Sequence, residues 1–71
     1  MPSEIQAMYA LKPQWSATNL RRWMAKNNLR PIKRAHMVGT EIRYRITDPR
    51  KYRRFTTTVL DNGVHLVFGW I

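Results

Sequence analysis

Cysteine is missing from this 71-residue chain, and acid is scarce: four Asp and Glu stand against thirteen Lys and Arg. With no cysteine there is no disulfide and no thiolate-bound metal, which suits a reducing compartment. No apolar run approaches the roughly 20 residues that span a bilayer, and the opening Met1-Pro2-Ser3-Glu4 lacks the basic stretch of a signal peptide. A cytoplasmic location is therefore expected, without a membrane partner. The four carboxylates, Glu4, Glu41, Asp48 and Asp61, are scattered. Asp48 precedes Pro49 and Asp61 precedes Asn62-Gly63, where turn chemistry accounts for both. His36 and His65 have no neighbouring cysteine or carboxylate pair, and Ser3 and Ser16 sit in no nucleophile motif. The three glycines, Gly39, Gly63 and Gly69, build no phosphate-cradling loop. The reading is a protein that is not an enzyme and that uses no cofactor or metal. Repeats and linkers are also lacking, so residues 1–71 read as a single small basic domain.

What is there in excess is positive charge. The formal net charge is +9 and the pI about 11.3. Such a surplus on a small body attracts polyanions and speeds encounter with them. Displacing counterions from phosphates drives binding to nucleic acid even without base reading. The apolar fraction is 44%, too high for a disordered basic tail.

The periodicity predicts two helices and three strands. Pro2-Ser3-Glu4 opens a first short helix with Ile5, Met8, Tyr9 and Leu11 on its apolar side, ended by Lys12-Pro13. A second helix starts at a Ser16 or Thr18 cap and runs to about Leu29, before Pro31. Leu20, Trp23, Met24 and Asn27 share one of its faces, with Leu20 and Trp23 in the core. Ile32 to Met37 reads as an extended segment or a short strand. From Glu41 the period becomes two: Ile42, Tyr44 and Ile46 face inward, and Arg43 and Arg45 outward. At the C-terminus, Asn62-Gly63 reads as a two-residue type I′ turn. It pairs Val59 with Leu66, Thr57 with Phe68 and Phe55 with Trp70 on one apolar face. A one-residue slip would mix the apolar and basic faces. The expected fold class is α+β: two short N-terminal helices packed on a three-stranded antiparallel sheet that ends in a C-terminal hairpin.

The cations fall into three groups. Arg21, Arg22 and Lys26 lie on the second helix, and Arg30, Lys33 and Arg34 just follow it. Arg43 and Arg45 occupy the outer face of a strand, joined by Arg50, Lys51, Arg53 and Arg54 in the turn around Tyr52. Arginine offers planar, bidentate contacts to phosphates and guanine edges. Tyr52 is open to two readings, a base- or sugar-stacking ring or a plug that closes the end of the sheet.

The order of short helix, Leu20-Arg21-Arg22-Trp23, Leu29-Arg30-Pro31 and Tyr44-Arg45-Ile46 resembles small winged-helix DNA-binding proteins of the phage excisionase and MerR-like group, over roughly residues 3–52. That resemblance implies a winged-helix-like fold whose second helix enters the major groove. Thr18, Asn19, Arg21, Arg22 and Lys26 would then face DNA, and Arg43 and Arg45 would serve the wing. The expected function is a DNA-binding accessory or regulatory factor of phage or mobile-element type. Two alternatives stand beside it: an RNA-binding module that uses the basic sheet face, and a small inhibitor that docks an acidic surface of a host protein through Trp15 or Trp70. A homodimer through the C-terminal edge strand is a further expectation.

Overall fold

The structure is a computed structural model that describes residues 2–71. It contains β1 (Ser3–Leu11), α1 (Ala17–Lys26), β2 (His36–Val38), β3 (Glu41–Arg45), a single 3-10 turn (Pro49–Lys51), β4 (Arg54–Val59) and β5 (His65–Trp70). The strands form one antiparallel sheet in the order β2-β3-β1-β5-β4. The expected pair of helices on three strands is thus replaced by one helix on five strands, and the winged-helix-like arrangement goes with it.

The segment expected to be the first helix is the central strand. Its residues are good helix formers, but pairing on both sides overrides that weak preference. The misleading period has a specific cause. The pairing of β1 with β5 shifts between Ile5 and Ala7, so Gln6 is an extra, bulged residue. Ile5 pairs with Phe68 and Met8 with Leu66. Residues three apart therefore share a face, as they would on a helix. The bulge is held from both ends. The Gln6 carbonyl accepts from Ile46 N–H and Thr47 N–H at 2.8 and 3.0 Å, and Gln6 Nε2 donates to the Thr47 carbonyl at 2.9 Å.

The helix forms where expected. The Ser16 hydroxyl caps it by accepting from Asn19 N–H at 3.1 Å. At its end Asn28 takes a φ of 60°, and Leu29 N–H donates to the Met24 carbonyl at 2.9 Å. This is a left-handed C-terminal cap with asparagine in the place of the usual glycine. Leu20 and Met24 are fully buried against Met8, Ala10, Ile42, Tyr44, Val64 and Leu66, and Trp23 is half-buried on the flank. The Tyr44 hydroxyl donates to the Ala17 carbonyl at 3.1 Å, tying the start of the helix to β3.

The C-terminal hairpin is present, but its register differs by one residue. Arg54 pairs with Trp70, Thr56 with Phe68, Thr58 with Leu66 and Val59 with His65. The loop has three residues, Asp61-Asn62-Gly63, closed by Leu60 N–H donating to the Val64 carbonyl at 2.8 Å. Gly63, at φ 87°, takes the left-handed position that ends such a loop. The expected pairs Val59–Leu66, Thr57–Phe68 and Phe55–Trp70 are therefore wrong. A shift of one residue moves every side chain to the other face, so Phe55 and Val59 are 46% and 61% exposed, away from the core. The final strand is not an edge either: β5 lies between β1 and β4, and the edges are β2 and β4.

Candidate functional site

Strand alternation sorts the side chains onto two faces. One face packs under α1. The other carries three cross-strand rows. The first is His36, Arg43, Tyr9, His65 and Val59, one residue from each of the five strands. The second is Arg45, Ala7, Val67 and Thr57. The third pairs Glu4 with Gly69 and Gly69 with Phe55.

The first row is a column of rings. Tyr9 and His65 stack with centroids 4.4 Å apart and planes 10° from parallel. The Arg43 guanidinium lies 4.9 Å from the Tyr9 centroid, on the side away from His65 because β1 separates their strands. Arg43 is also held by Glu41, Nε and Nη2 both lying 2.9 Å from Oε1. His65 Nδ1 is buried without a hydrogen-bond partner.

The third row is capped by Tyr52. A Cβ at Gly69 would lie 2.3 Å from Tyr52 Cγ, so only glycine admits the ring there. Tyr52 is buried, hydrogen-bonds to the Thr47 hydroxyl at 2.6 Å and meets Phe55 edge-to-face at 5.9 Å. Of the two readings of Tyr52, the plug is the one seen, and Phe55 is the exposed ring beside it. Lys51 sits over Tyr52 and pairs with Glu4 at 3.2 Å, which raises the Lys51 pKa. Asp48 accepts from the Arg50 side chain and then from its backbone N–H, and its pKa falls to about 2.

Between the two aromatic rows the second row is low. Half-buried Val67, with the almost fully buried Ala7 beside it, forms the floor of an open trough of about 430 Å³, walled by Tyr9, Phe55, Thr57, Arg43 and Arg45. Beside it lies a hollow of about 250 Å³ lined by Lys33, Arg34, Ala35, His36, Arg43 and Arg45. Arg43 and Arg45 line both. The chain after the helix reaches this edge because Ile32 N–H donates to the Arg45 carbonyl at 2.9 Å. Four of the expected cations thus converge, although Lys33 and Arg34 are far from Arg43 and Arg45 in sequence.

The helix residues do not join them. Thr18, Asn19, Arg21, Arg22 and Lys26 are exposed on α1, which covers the opposite face. Asn19, Arg22 and Lys26, with Trp15, Trp23, Gln14 and Asn62, line a separate groove of about 620 Å³. Arg30 lies beyond the helix end, at a hollow shared with Arg21. Arg50 is turned to Asp48, Arg53 is exposed, and Arg54 lies over the Trp70 ring at 5.0 Å. Among the described residues three ion pairs form, and the other ten cations have no carboxylate partner.

Sequence reasoning missed Tyr9, His65, Phe55, Ala7, Val67 and Thr57. Ala7 and Tyr9 lie in the segment expected to be a helix, and the other four depend on the hairpin register or on pairing with β1. The adjacent Arg43 and Arg45 were the one signal that marked this face. No helix among the described residues is long and apolar enough to cross a membrane. Comparison with protein-family models, curated proteins and solved structures returned no match, so the use of this face has to be read from its own chemistry.

Proposed function

We propose that this is a nucleic-acid-binding protein and that the sheet face opposite the helix is its interface. The observation that supports this most is the convergence of Lys33, Arg34, Arg43 and Arg45 around one hollow beside a ring-walled trough. Phosphates neutralise such a cluster, and the exposed Phe55 ring adds sequence-tolerant contact to bases. Arg43 and Arg45 stand on a hydrogen-bonded strand and Arg43 is held by Glu41, so their backbone is placed before binding and loses less freedom on contact. The test is binding to a labelled oligonucleotide across a salt series. Arg43→Ala with Arg45→Ala should weaken binding and flatten the log-log salt slope by roughly 1–2. Unchanged affinity in the folded double variant would show a merely solvated face.

A second reading is supported by the groove on the helix side. Half-buried Trp15 and Trp23 stand there beside Arg22 and Lys26, the combination that anchors protein interfaces. Trp15 Nε1 donates to the Asn62 carbonyl at 2.9 Å, which fixes this wall. Capture of an acidic protein that survives nuclease treatment and is lost in Arg22→Ala would favour this reading.

A further inference from the structure

We infer that the trough takes one unpaired nucleobase, so that the protein selects single-stranded nucleic acid over duplex. This rests on the sheet face being the nucleic-acid interface.

The trough and the hollow have different chemistry and are contiguous. The hollow is lined by four cations, Lys33, Arg34, Arg43 and Arg45, together with His36 and Ala35. The trough is floored by Val67, with Ala7 beside it, and ended by Tyr9 and Phe55. A nucleotide has the same division, an anionic phosphate joined to a flat, weakly polar ring. Arg43 and Arg45 stand at the junction, where the sugar–phosphate link would cross.

Size and shape agree. On β5 the aromatic rows are four residues apart, from His65 to Gly69, or about 13 Å along the strand. A base laid on Val67, above the buried Ala7, meets Tyr9 at one end and Phe55 at the other. The 430 Å³ trough falls within the roughly 300–1,000 Å³ of small-ligand pockets. In a duplex the faces of the bases are hidden in the stack, and reaching one requires unpairing it. A single strand presents them at once. Phe55 is 46% exposed, an apolar ring left in water at the mouth of a basic site. Base contact would remove that exposure.

The experiment compares three labelled probes of equal phosphate count: a single-stranded oligodeoxythymidine, its abasic counterpart, and a duplex. The intact single strand should bind at least about ten-fold more tightly than either the abasic strand or the duplex. Thr57→Leu fills the trough from an exposed position on β4 and should remove most of that preference while leaving the abasic strand bound as before. Equal binding of intact and abasic strands by the unaltered protein would overturn the base site and leave the nucleic-acid reading standing. So would an undiminished preference in a folded Thr57→Leu protein. Absence of binding to all three probes at low salt would overturn the interface itself.

Discussion

At the scale of single residues, the narrowest fit is Tyr52 over Gly69. Its effect is to close one end of the open face and to hold Phe55 at the rim. Gly69→Ala would drive a methyl group into the Tyr52 ring, since even an ideal Cβ lies within 2.6 Å of three ring atoms. The ring cannot retreat without breaking its bond to Thr47. Overpacking of this kind costs about 1–3 kcal/mol, and a lower midpoint in urea unfolding is expected. A wild-type midpoint would mean that Tyr52 leaves its seat freely. Asp48 supports a second prediction at this scale. Its pKa lies at about 2, below the ordinary 3.8, because Arg50 donates to it. A carboxylate with a lowered folded-state pKa stabilises the fold above its unfolded value and loses that contribution as pH falls through the folded one. The loss should therefore fall between about pH 4 and pH 2. The pair is exposed, so the effect on stability is small. NMR titration of the Asp48 carboxyl should give a midpoint well under the usual carboxylate range, and Arg50→Ala should return it toward 3.8.

At the scale of elements, the turn chemistry decides which face β4 presents. Asn-Gly suits a two-residue loop, but here Gly63 closes a three-residue one. Asn62 Oδ1 accepts from Val64 N–H at 3.1 Å, and the Asn62 carbonyl accepts from Gln14 Nε2 and Trp15 Nε1. The bonds from Gln14 and Trp15 come from 48 and 47 residues away, so part of what selects the loop is not local. Gly63→Val places a β-branched residue at φ 87° with its Cβ 2.8 Å from Gln14 Nε2. A strained backbone of this sort costs about 1–3 kcal/mol, which thermal melting will show. NOEs between Thr58 and Leu66, and between Val59 and His65, verify the register. Pairing of Val59 with Leu66 would restore the expected one and dismantle the trough. The capped helix and the Arg43/Arg45 alternation were legible because both are set by neighbours within a few residues. The central strand was not. Its bulge at Gln6 gives Ile5 and Met8 a common face, and that spacing imitates a helix until the partner strands are known. The site was legible only as its cations. Its rings lie on three different strands and become neighbours through pairing alone.

At the scale of the molecule, charge is spread over both sides of a body measuring 35 × 25 × 24 Å. The helix arginines and the sheet arginines lie on opposite faces, so a single straight strand cannot lie along both. Arg22→Ala should thus leave the affinity for a short single-stranded oligonucleotide nearly unchanged, while Arg45→Ala lowers it. Equal losses would show that ligand wraps around the edge of the sheet. The strands also differ in support. β1 is paired on both sides and buried at its centre, whereas every residue of β4 is exposed and the strand is paired on one side only, to β5.

That one-sided pairing has a kinetic consequence. Segments with few buried contacts open locally at little free-energy cost, while central strands exchange their amide protons only when much of the fold opens. The two edge strands, β2 and β4, should exchange deuterium first and β1 among the last. Phe55 and Thr57 ride on β4, so one wall of the trough lies on an edge that breathes. A base seated against it would act as a latch, and addition of a single-stranded oligonucleotide should slow exchange in Arg54–Val59 more than anywhere in α1. Slowing confined to α1 would mean that the ligand had gone to the other face, and that the breathing wall had nothing to close upon.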